Sequence, residues 1–515
     1  MQDDRLPALN ILQNLAIQIH LQYKAMKHSF QFTWIISAIL SIALLYSCNG
    51  KPSAAANNPK YTPEVEQRIA RVMNSLQVET PVENQFRNDS LYNRMRYYHT
   101  PGVSVAVIND GKLEWARGFG VKEINSGDSI DIHTLFEAGS VSKPVFALGV
   151  MKLKQDGTID LDKDVNQYLK SWKVPANNDW QPVITLRQLL SHTAGTSVHG
   201  FPGYMKSEDI PTVPQILNGA GSANTAAVRV NMLPGTQFRY SGGGTTIAQL
   251  TVTDVLGKSF PEIMREKLFD PLKLQYSTYE QPLPGAKENM ASTASPWKGQ
   301  AIKGRYHVYP EMAAAGLWTN PAELATLVLE VQKALEGKST FLKKETIDEM
   351  LTPQKIASHI GIGFFLESKG DSTRFGHNGW DEGFVALLTA YKKGGKGAII
   401  MVNSNEGYSI MDELIRAIAK EYNWPDYLPS ATKSATQGDD KTDYSGSYFN
   451  QDSIEMKIIT LNNQPQLVYQ HQNPVPLQRS ADNYYFSPTM NFKIHLKDKE
   501  LRFEQNGSSN VFKKK

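Results

Sequence analysis

The residues best suited to chemistry in this chain are Ser140 and Lys143, which precede an apolar run at helical spacing. Residues three apart on a helix point to the same side, so the amine can lie beside the hydroxyl. Pro144 fits this helix because a proline is tolerated in the first turn. A serine at a helix N-terminus also has unpaired backbone donors around it. A neighbouring amine that helps to remove the serine proton makes Ser140 a candidate nucleophile for acyl transfer.

The Ser-x-x-Lys spacing alone does not identify the nucleophile, because it also occurs at Ser295–Lys298 and Ser430–Lys433. The first of these contains Pro296 and is not followed by an apolar helical run. The second lies in a polar stretch that is typical of a linker. Only Ser140 has a helix from which to project. The alternative interpretation of Ser140 is a helix-capping serine beside a solvated lysine.

Two later segments strengthen the interpretation of Ser140 and Lys143 as catalytic residues. Residues 234–244 present Tyr240 on a glycine-rich turn, and residues 376–384 lead into an apolar strand. In this order, the three segments resemble the serine β-lactamase and penicillin-binding-protein superfamily, above all the class C enzymes and their relatives among esterases and D-amino-acid peptidases. Further matches lie at residues 101–107, 189–195, 269–272 and 315–317, so that the resemblance covers roughly residues 95 to 425.

The resemblance implies a role for each matched residue. Ser140 would be the nucleophile, Lys143 its helper and Tyr240 the second member of the proton-transfer pair. Which of Lys143 and Tyr240 takes the serine proton is left open by the sequence. The backbone N–H groups of Ser140 and Trp380 would form the oxyanion hole. Gly379 would let its strand approach the substrate closely, because a side chain there would block the way.

The sequence departs from the family pattern at two motifs, both expected to contact substrate. Where the family has Tyr-x-Asn, the third position is Gly242, so the amide that would bind an acyl-amide side chain is missing. Where the family has Lys-Thr-Gly, this chain has His377, Asn378 and Gly379. An imidazole is largely neutral near pH 7, so the permanent cation for a substrate carboxylate is absent from that motif. Both departures favour an esterase or D-amino-acid peptidase.

We therefore predict a serine hydrolase that forms an acyl-enzyme on a small ester, peptide or β-lactam and needs no cofactor. The first alternative is a D-alanyl-D-alanine carboxypeptidase or class C-like β-lactamase, which would need another cation, such as Arg374, to hold the substrate carboxylate. The second is a non-hydrolytic binding or sensor protein, against which the retained Ser140, Lys143 and Tyr240 argue. Tyr240 and His377 could instead be structural, and for His192, just before a helix-ending glycine, the structural role is the prediction.

Composition narrows the class of protein further. The 515 residues suggest about three domains, and 41% hydrophobic residues allow a large core. The net charge of +3 gives no argument for a nucleic-acid partner. No spacing of His, Cys and Asp indicates a metal site, and the glycines after Ser241 lack the lysine of a phosphate-binding loop. The sequence makes no prediction of oligomeric state.

The N-terminal region predicts export. Lys24 and Lys27 precede an apolar run over residues 32–45, which is short for a membrane span and typical of a signal peptide. The run ends at Cys48 in a pattern that resembles a bacterial lipobox. Cys48 is the only cysteine, so no intramolecular disulfide can form. We expect translation to start at Met26 and Cys48 to carry a lipid that anchors the protein to the membrane, facing the periplasm or cell exterior. A buried cysteine in an uncleaved anchor is the alternative.

The hydrophobic pattern predicts an α+β fold, in which one antiparallel sheet from both ends of the hydrolase domain is flanked by helices and a helical lobe. A helix is predicted over residues 60–98, and a β-hairpin turns at residues 109–111. Further helices are predicted at 144–155, 185–192, 212–218, 245–256, 260–268, 321–335 and 409–422, and strands at 361–367, 373–377, 384–391 and 397–403. The predicted boundaries are a signal peptide (1–48), a tether (49–60), the hydrolase domain (61–428), a linker (429–442) and a small C-terminal antiparallel β domain (443–515).

Overall fold

The structure is a computed structural model that describes residues 58–77, 88–428, 443–450, 453–462, 464–469, 474–487, 492–505 and 508–514. Cys48, the predicted signal peptide, most of the tether and the predicted linker lie outside the described residues. Within the described ranges, no helix has both the length and the apolar character that a membrane crossing requires.

The central sheet is antiparallel throughout and combines strands from both ends of the region 88–428, which confirms the predicted fold class. The predicted hairpin turn is present, and Asp110 and Gly111 both have positive φ there. Such a turn matches the right-handed twist of the flanking strands. In spatial order the strands are Lys112–Gly120, Gly102–Asn109, Gly397–Val402, Phe384–Tyr391, Arg374–Asp381 and Phe365–Glu367.

Alternate residues of the sheet enter two separate cores, as expected for strands buried on both faces. Val105 packs on the side of helix Tyr408–Glu421, whereas Ala106 belongs to the core on the opposite side, towards helix Pro321–Leu335. The core that contains Ala106 continues into the helical lobe, which the chain forms between the N-terminal and C-terminal strands of the sheet. Further helices of this region are Ser142–Gln155, Leu186–Leu190, Val213–Asn218, Gly242–Leu256, Phe260–Met264, Gly285–Glu288, Met312–Ala315 and Lys344–Met350.

Side-chain caps fix several of the helix starts. Thr185 and Gln188 form a reciprocal capping box at the start of helix Leu186–Leu190. Asn320 accepts the backbone N–H of Glu323 at 3.0 Å, at the start of the longer helix towards which Ala106 packs. These caps satisfy backbone donors that have no partner within the helix itself.

The helix Ser142–Gln155, which follows the candidate nucleophile, starts without a side-chain cap. Val141 stands immediately before it, and the 3₁₀ turn Gly139–Val141 leads directly into the helix. Neither the turn nor the helix has a side-chain cap hydrogen bond at its start. The alternative interpretation of Ser140 as a helix-capping serine therefore finds no supporting hydrogen bond.

The prediction of one helix over residues 60–98 was wrong. Two helices, Pro63–Met73 and Leu91–Tyr97, occupy this stretch, and a short antiparallel strand pair lies between them. The first helix ends at Asn74, and the second begins at Ser90, whose side chain accepts the Asn93 N–H at 3.3 Å. Both residue types favour helix ends over helix interiors. The apolar residues at helical spacing continue only to Leu76, just past the end of the first helix.

The strand predicted over residues 373–377 is longer, and it runs over Arg374–Asp381; we call it the cleft strand. Its two glycines interrupt the apolar pattern from which the strand was predicted. Both are required by packing. A Cβ at Gly376 would lie 2.2 Å from Leu388 O, and a Cβ at Gly379 would lie 2.0 Å from Ala138 O. The strand therefore continues beyond the predicted end at residue 377 and includes Gly379, which the family resemblance placed on a strand.

The C-terminal region is a separate antiparallel sheet with its own core, which includes Tyr448, Ile494 and Leu501. This agrees with the predicted small β domain. Its described strands, in spatial order, are Val475–Pro476, Gln464–Tyr469, Glu455–Leu461, Gly446–Phe449, Ser508–Lys514, Glu500–Gln505, Lys493–Lys497, Tyr485–Phe486 and Gln478–Arg479.

Candidate active site

Ser140 lies in the tight 3₁₀ turn Gly139–Val141, directly before the helix Ser142–Gln155. Gly139 has a φ of +50°, which disfavours any residue with a Cβ. A Cβ at Gly139 would also lie 2.4 Å from the Trp380 backbone nitrogen. The glycine therefore allows the turn that carries Ser140 to pack against the backbone of the cleft strand.

The three residues predicted to be catalytic meet at one oxygen atom. Lys143 Nζ lies 2.9 Å from Ser140 Oγ, and Tyr240 OH lies 2.8 Å from the same oxygen. Lys143 also donates to the Ala314 carbonyl oxygen at 2.7 Å and is 4% exposed. Both the amine and the phenol touch the serine oxygen, so either can exchange a proton with it without a rearrangement of the backbone.

Aromatic rings hold Tyr240 in place. Its ring centroid lies 4.3 Å from that of His192, 4.9 Å from that of His199 and 6.3 Å from that of Phe365. The Ser241 backbone N–H donates a hydrogen bond to His192 Nδ1, with 3.2 Å between the two nitrogens. Burial lowers the pKa of His192 well below its usual value. The imidazole is thus a neutral support for the tyrosine, in agreement with its predicted structural role. His199 and Phe365 were not predicted, because they come from segments with no motif.

Gly242 occupies a crowded position at the start of the helix Gly242–Leu256. A Cβ there would lie 2.9 Å from the Phe201 ring and 3.1 Å from the His199 carbonyl oxygen. The asparagine of the family motif has no room in this arrangement. Gly242 is buried and is not among the residues that line the cleft cavity, so the structure does not bring it to the predicted substrate-binding position.

The cleft strand supplies the remaining predicted residues. His377, Asn378, Gly379 and Trp380 all line one cavity of about 510 Å³ that also reaches Ser140 and Tyr240. The Trp380 side chain is 55% exposed. Gly379 faces the Ala138 carbonyl oxygen, so the glycine is required by backbone packing behind the nucleophile, which differs from the predicted reason of substrate access.

His377 is neutral in this site. Its ring is 5% exposed, and Nδ1 lies 2.5 Å from the Asn378 carbonyl oxygen. Burial, together with the positive charge of Lys143, lowers the pKa of His377 to about 3. The residue that replaces the family's lysine therefore carries no charge near pH 7.

Three buried carboxyl groups near the site were not predicted. Glu137 and Asp381 are almost fully buried, and burial raises the pKa of both well above the usual range. Burial also raises the pKa of Glu311 to about 8. The charge of Lys143 and a hydrogen bond from the Gly139 backbone N–H oppose the rise in the pKa of Asp381. Single buried acids far apart in sequence have no spacing that would reveal them.

Arg374, the alternative cation for a substrate carboxylate, lines the same cavity but is already paired. Its guanidinium donates to Glu367 Oε2 at 2.8 Å and lies 4.3 Å from the Tyr427 ring centroid. Across the part of the chain that the structure describes, no group of three or more His, Cys, Asp or Glu residues could hold a metal ion.

A family model described as Beta-lactamase matches residues 88–423, which is well over half of the chain. This chain belongs to the beta-lactamase family. The match contains the Ser140 turn, the Tyr240 loop and the cleft strand. It therefore confirms the resemblance that these segments indicated.

Curated relatives of this beta-lactamase family member include Protein flp of Staphylococcus aureus strain MW2, which is 23% identical over 324 residues, covering 60% of this chain and 61% of the relative. Teichoic acid D-alanine hydrolase of Staphylococcus aureus is 24% identical over 295 residues, covering 56% of this chain and 65% of the relative. The matched region thus spans less than two thirds of the length of each of these relatives.

Solved structures agree in fold. The octameric penicillin-binding protein homologue from Pyrococcus abyssi has a TM-score of 0.56 at 19% identity, covering 82% of this chain and 98% of the other. The crystal structure of SurE has a TM-score of 0.53 at 19% identity, covering 82% of this chain and 97% of the other. At these identities the similarity is one of architecture.

Proposed function

We propose that this protein is a serine hydrolase that cleaves an ester or amide through an acyl-enzyme on Ser140. The observation that carries the proposal is the convergence of Lys143 Nζ and Tyr240 OH on Ser140 Oγ, at 2.9 and 2.8 Å. A helix-capping serine needs neither contact. Membership of the beta-lactamase family supports the same chemistry.

In the proposed reaction, Ser140 Oγ attacks the substrate carbonyl carbon, and its proton passes to the Lys143–Tyr240 pair. The backbone N–H groups of Ser140 and Trp380 stabilise the negative oxygen of the tetrahedral intermediate. The pair returns the proton to the leaving alcohol or amine as the bond to it breaks. Water then attacks the acyl-enzyme and releases the acid, and the serine recovers its proton.

The substrate type we favour is an ester or amide of a D-amino acid. An antibiotic-hydrolysing enzyme of this family would have an asparagine at the position of Gly242 and a lysine at the position of His377. Here the space around Gly242 is too small for a side chain, and His377 is neutral. The relative named teichoic acid D-alanine hydrolase supports a D-alanyl substrate. A carboxypeptidase would need a free cation in the cleft, and Arg374 already pairs with Glu367.

The test is hydrolysis by purified protein of short-chain esters, D-alanine esters and amides, and a chromogenic cephalosporin. We expect turnover of the D-alanine esters, and its loss in Ser140→Ala with an unchanged thermal melting temperature. Turnover that survives in Ser140→Ala would reject the mechanism. Turnover of the cephalosporin alone would favour a β-lactamase, and the absence of any turnover would favour a binding or sensor protein.

We also propose that the protein is exported and anchored by lipid at Cys48. The support is the sequence pattern of basic residues, apolar run and lipobox-like segment at residues 24–48. A lipid-anchored hydrolase would meet substrates at the cell surface.

A further inference from the structure

The Asp381 side chain contacts the backbone of the turn that carries Ser140. Asp381 is the last residue of the cleft strand, and its side chain is buried. Its carboxyl group accepts a hydrogen bond from the backbone N–H of Gly139. Gly139 directly precedes Ser140, and Asp381 directly follows Trp380. The hydrogen bond therefore joins the two segments that carry the proposed oxyanion-hole donors, one residue away from each donor.

Two glycines let the turn and the cleft strand approach each other, but they supply no directional bond between them. An added Cβ would lie 2.4 Å from the backbone of the other segment at Gly139 and 2.0 Å from it at Gly379. Among the described residues, no backbone–backbone hydrogen bond links residues 138–141 to the cleft strand. The carboxyl group of Asp381 thus supplies a hydrogen bond that the two backbones do not make with each other.

The surroundings of Asp381 favour the uncharged acid. Burial raises the pKa of Asp381 well above its usual range, and the carboxyl group of Glu311 adds to the rise, against the charge of Lys143. Oδ2 of Asp381 has no hydrogen-bond partner among the described residues, so no donor stabilises a negative charge on that oxygen. A neutral carboxylic acid still has a carbonyl oxygen that accepts the Gly139 N–H. Asparagine has the same branching and a carbonyl oxygen, so it should be able to replace the aspartate.

We propose that Asp381 is a positioning residue, which holds the Ser140 turn against the cleft strand and so sets the spacing of the Ser140 and Trp380 N–H groups. The inference rests on the proposed hydrolase function and concerns the same site. Asp381 is not among the residues that line the cavity, so it acts through the backbone and not on the substrate. Without its hydrogen bond the turn can move, and a displacement of about 1 Å can lower a rate about 10²-fold.

The experiment compares Asp381→Leu with Asp381→Asn in the hydrolysis of p-nitrophenyl butyrate, with Ser140→Ala as the background. Leucine has the branching of aspartate but no acceptor, whereas asparagine keeps one. We expect kcat of Asp381→Leu to fall by about 10²-fold and kcat of Asp381→Asn to stay close to that of the wild type. KM should change little in either variant, because the negative oxygen exists only in the tetrahedral intermediates of acylation and deacylation.

A purely structural role of Asp381 gives a different pattern. The folded fraction of Asp381→Leu, measured by circular dichroism, would then account for its whole loss of activity. Full kcat per folded molecule in this variant would overturn the assignment, and so would an equal loss of kcat in Asp381→Asn. A higher KM at unchanged kcat would indicate a role in substrate binding and would also overturn it. If Asp381→Leu does not fold, Asp381→Ala takes its place in the comparison, since it removes the acceptor and requires no extra space.

Glu382→Leu is the matched control. It replaces an exposed carboxylate one residue further along, outside the cavity lining, by the same side chain, and kcat should equal that of the wild type. An equal loss in Glu382→Leu would show a general sensitivity of this strand end and overturn the assignment. If the wild type shows no Ser140-dependent turnover, the hydrolase function is rejected, and this inference with it. If the wild type and the folded Asp381→Leu variant turn over the ester equally, only the role of Asp381 is rejected.

Discussion

Ser140 Oγ is the point at which separate segments of the chain meet. The contact from Lys143 comes from the helix that the serine precedes, and the contact from Tyr240 comes from a loop a hundred residues later. Lys143 is held in turn by the Ala314 carbonyl oxygen, and Tyr240 by the rings of His192 and His199. Each reacting group therefore has its own support, which is what a preorganised site requires.

Replacement of Tyr240 by phenylalanine tests the phenol. The variant keeps the ring contacts but removes the oxygen that lies 2.8 Å from Ser140 Oγ. We expect kcat for ester hydrolysis to fall by about 10²–10⁴, the usual contribution of a general acid or base. Tyr276→Phe, outside the cavity lining, serves as the control. A Tyr240→Phe variant as active as the wild type would remove the phenol from the mechanism.

The turn Gly139–Val141 and the cleft strand form the frame of the site. Glycines at both contact points let the two backbones approach each other, and no side chain separates them. The sequence predicted the chemistry of these elements better than their extent. The motif residues could be recognised by type and order, whereas the length of the cleft strand depended on close backbone contacts that only the folded chain reveals.

Gly379→Ala tests this frame. The new methyl group would lie 2.0 Å from the Ala138 carbonyl oxygen, so the backbone must move. We expect a loss of about 1–3 kcal/mol in the free energy of unfolding, as for other overpacked positions, together with lower kcat. Gly127→Ala, where a methyl group meets nothing within 4 Å, is the control for urea denaturation. Equal stability of the two variants would contradict the close packing.

Glu311, at the start of the helix Met312–Ala315, makes stability depend on pH. Burial raises the pKa of Glu311 from 4.5 to about 8, so the folded protein holds a proton that the unfolded chain releases. The free energy of unfolding therefore includes a contribution from the protonated Glu311 carboxyl group. This contribution is fully present below pH 4.5 and is lost as the pH rises towards 8. Urea denaturation of Glu311→Gln should show a smaller decline over this range than the wild type. Glu345→Gln, at an exposed glutamate, is the control, and the same decline in Glu311→Gln would contradict the account.

The molecule combines the hydrolase region with a C-terminal antiparallel sheet, and the sequence predicted both. Regular alternation in residues 454–503 made the second sheet recognisable, and strands at both ends of the hydrolase region indicated a shared sheet. The interrupted helix in residues 60–98 was missed because the apolar spacing that ends at Leu76, just past the first helix, was extended over the whole stretch. The buried acids Glu137, Glu311 and Asp381 could not be predicted, since burial is a property of the whole fold.

Membrane association tests the proposed anchor. Cys48→Ser removes the only thiol to which a lipid could be attached, so the protein should move from the membrane fraction to the soluble fraction after expression in bacteria. Ser47→Ala keeps the cysteine and should stay with the membranes. Unchanged membrane association of Cys48→Ser would reject the lipid anchor.

The most direct test of the acyl-enzyme is covalent labelling with a fluorophosphonate, followed by peptide mass spectrometry. We predict one adduct, on Ser140, that is absent from Ser140→Ala and retained in Ser295→Ala, which changes the serine of another Ser-x-x-Lys segment. A folded wild-type protein that takes no label, or takes it on a different serine, would contradict the assignment of Ser140 as the nucleophile.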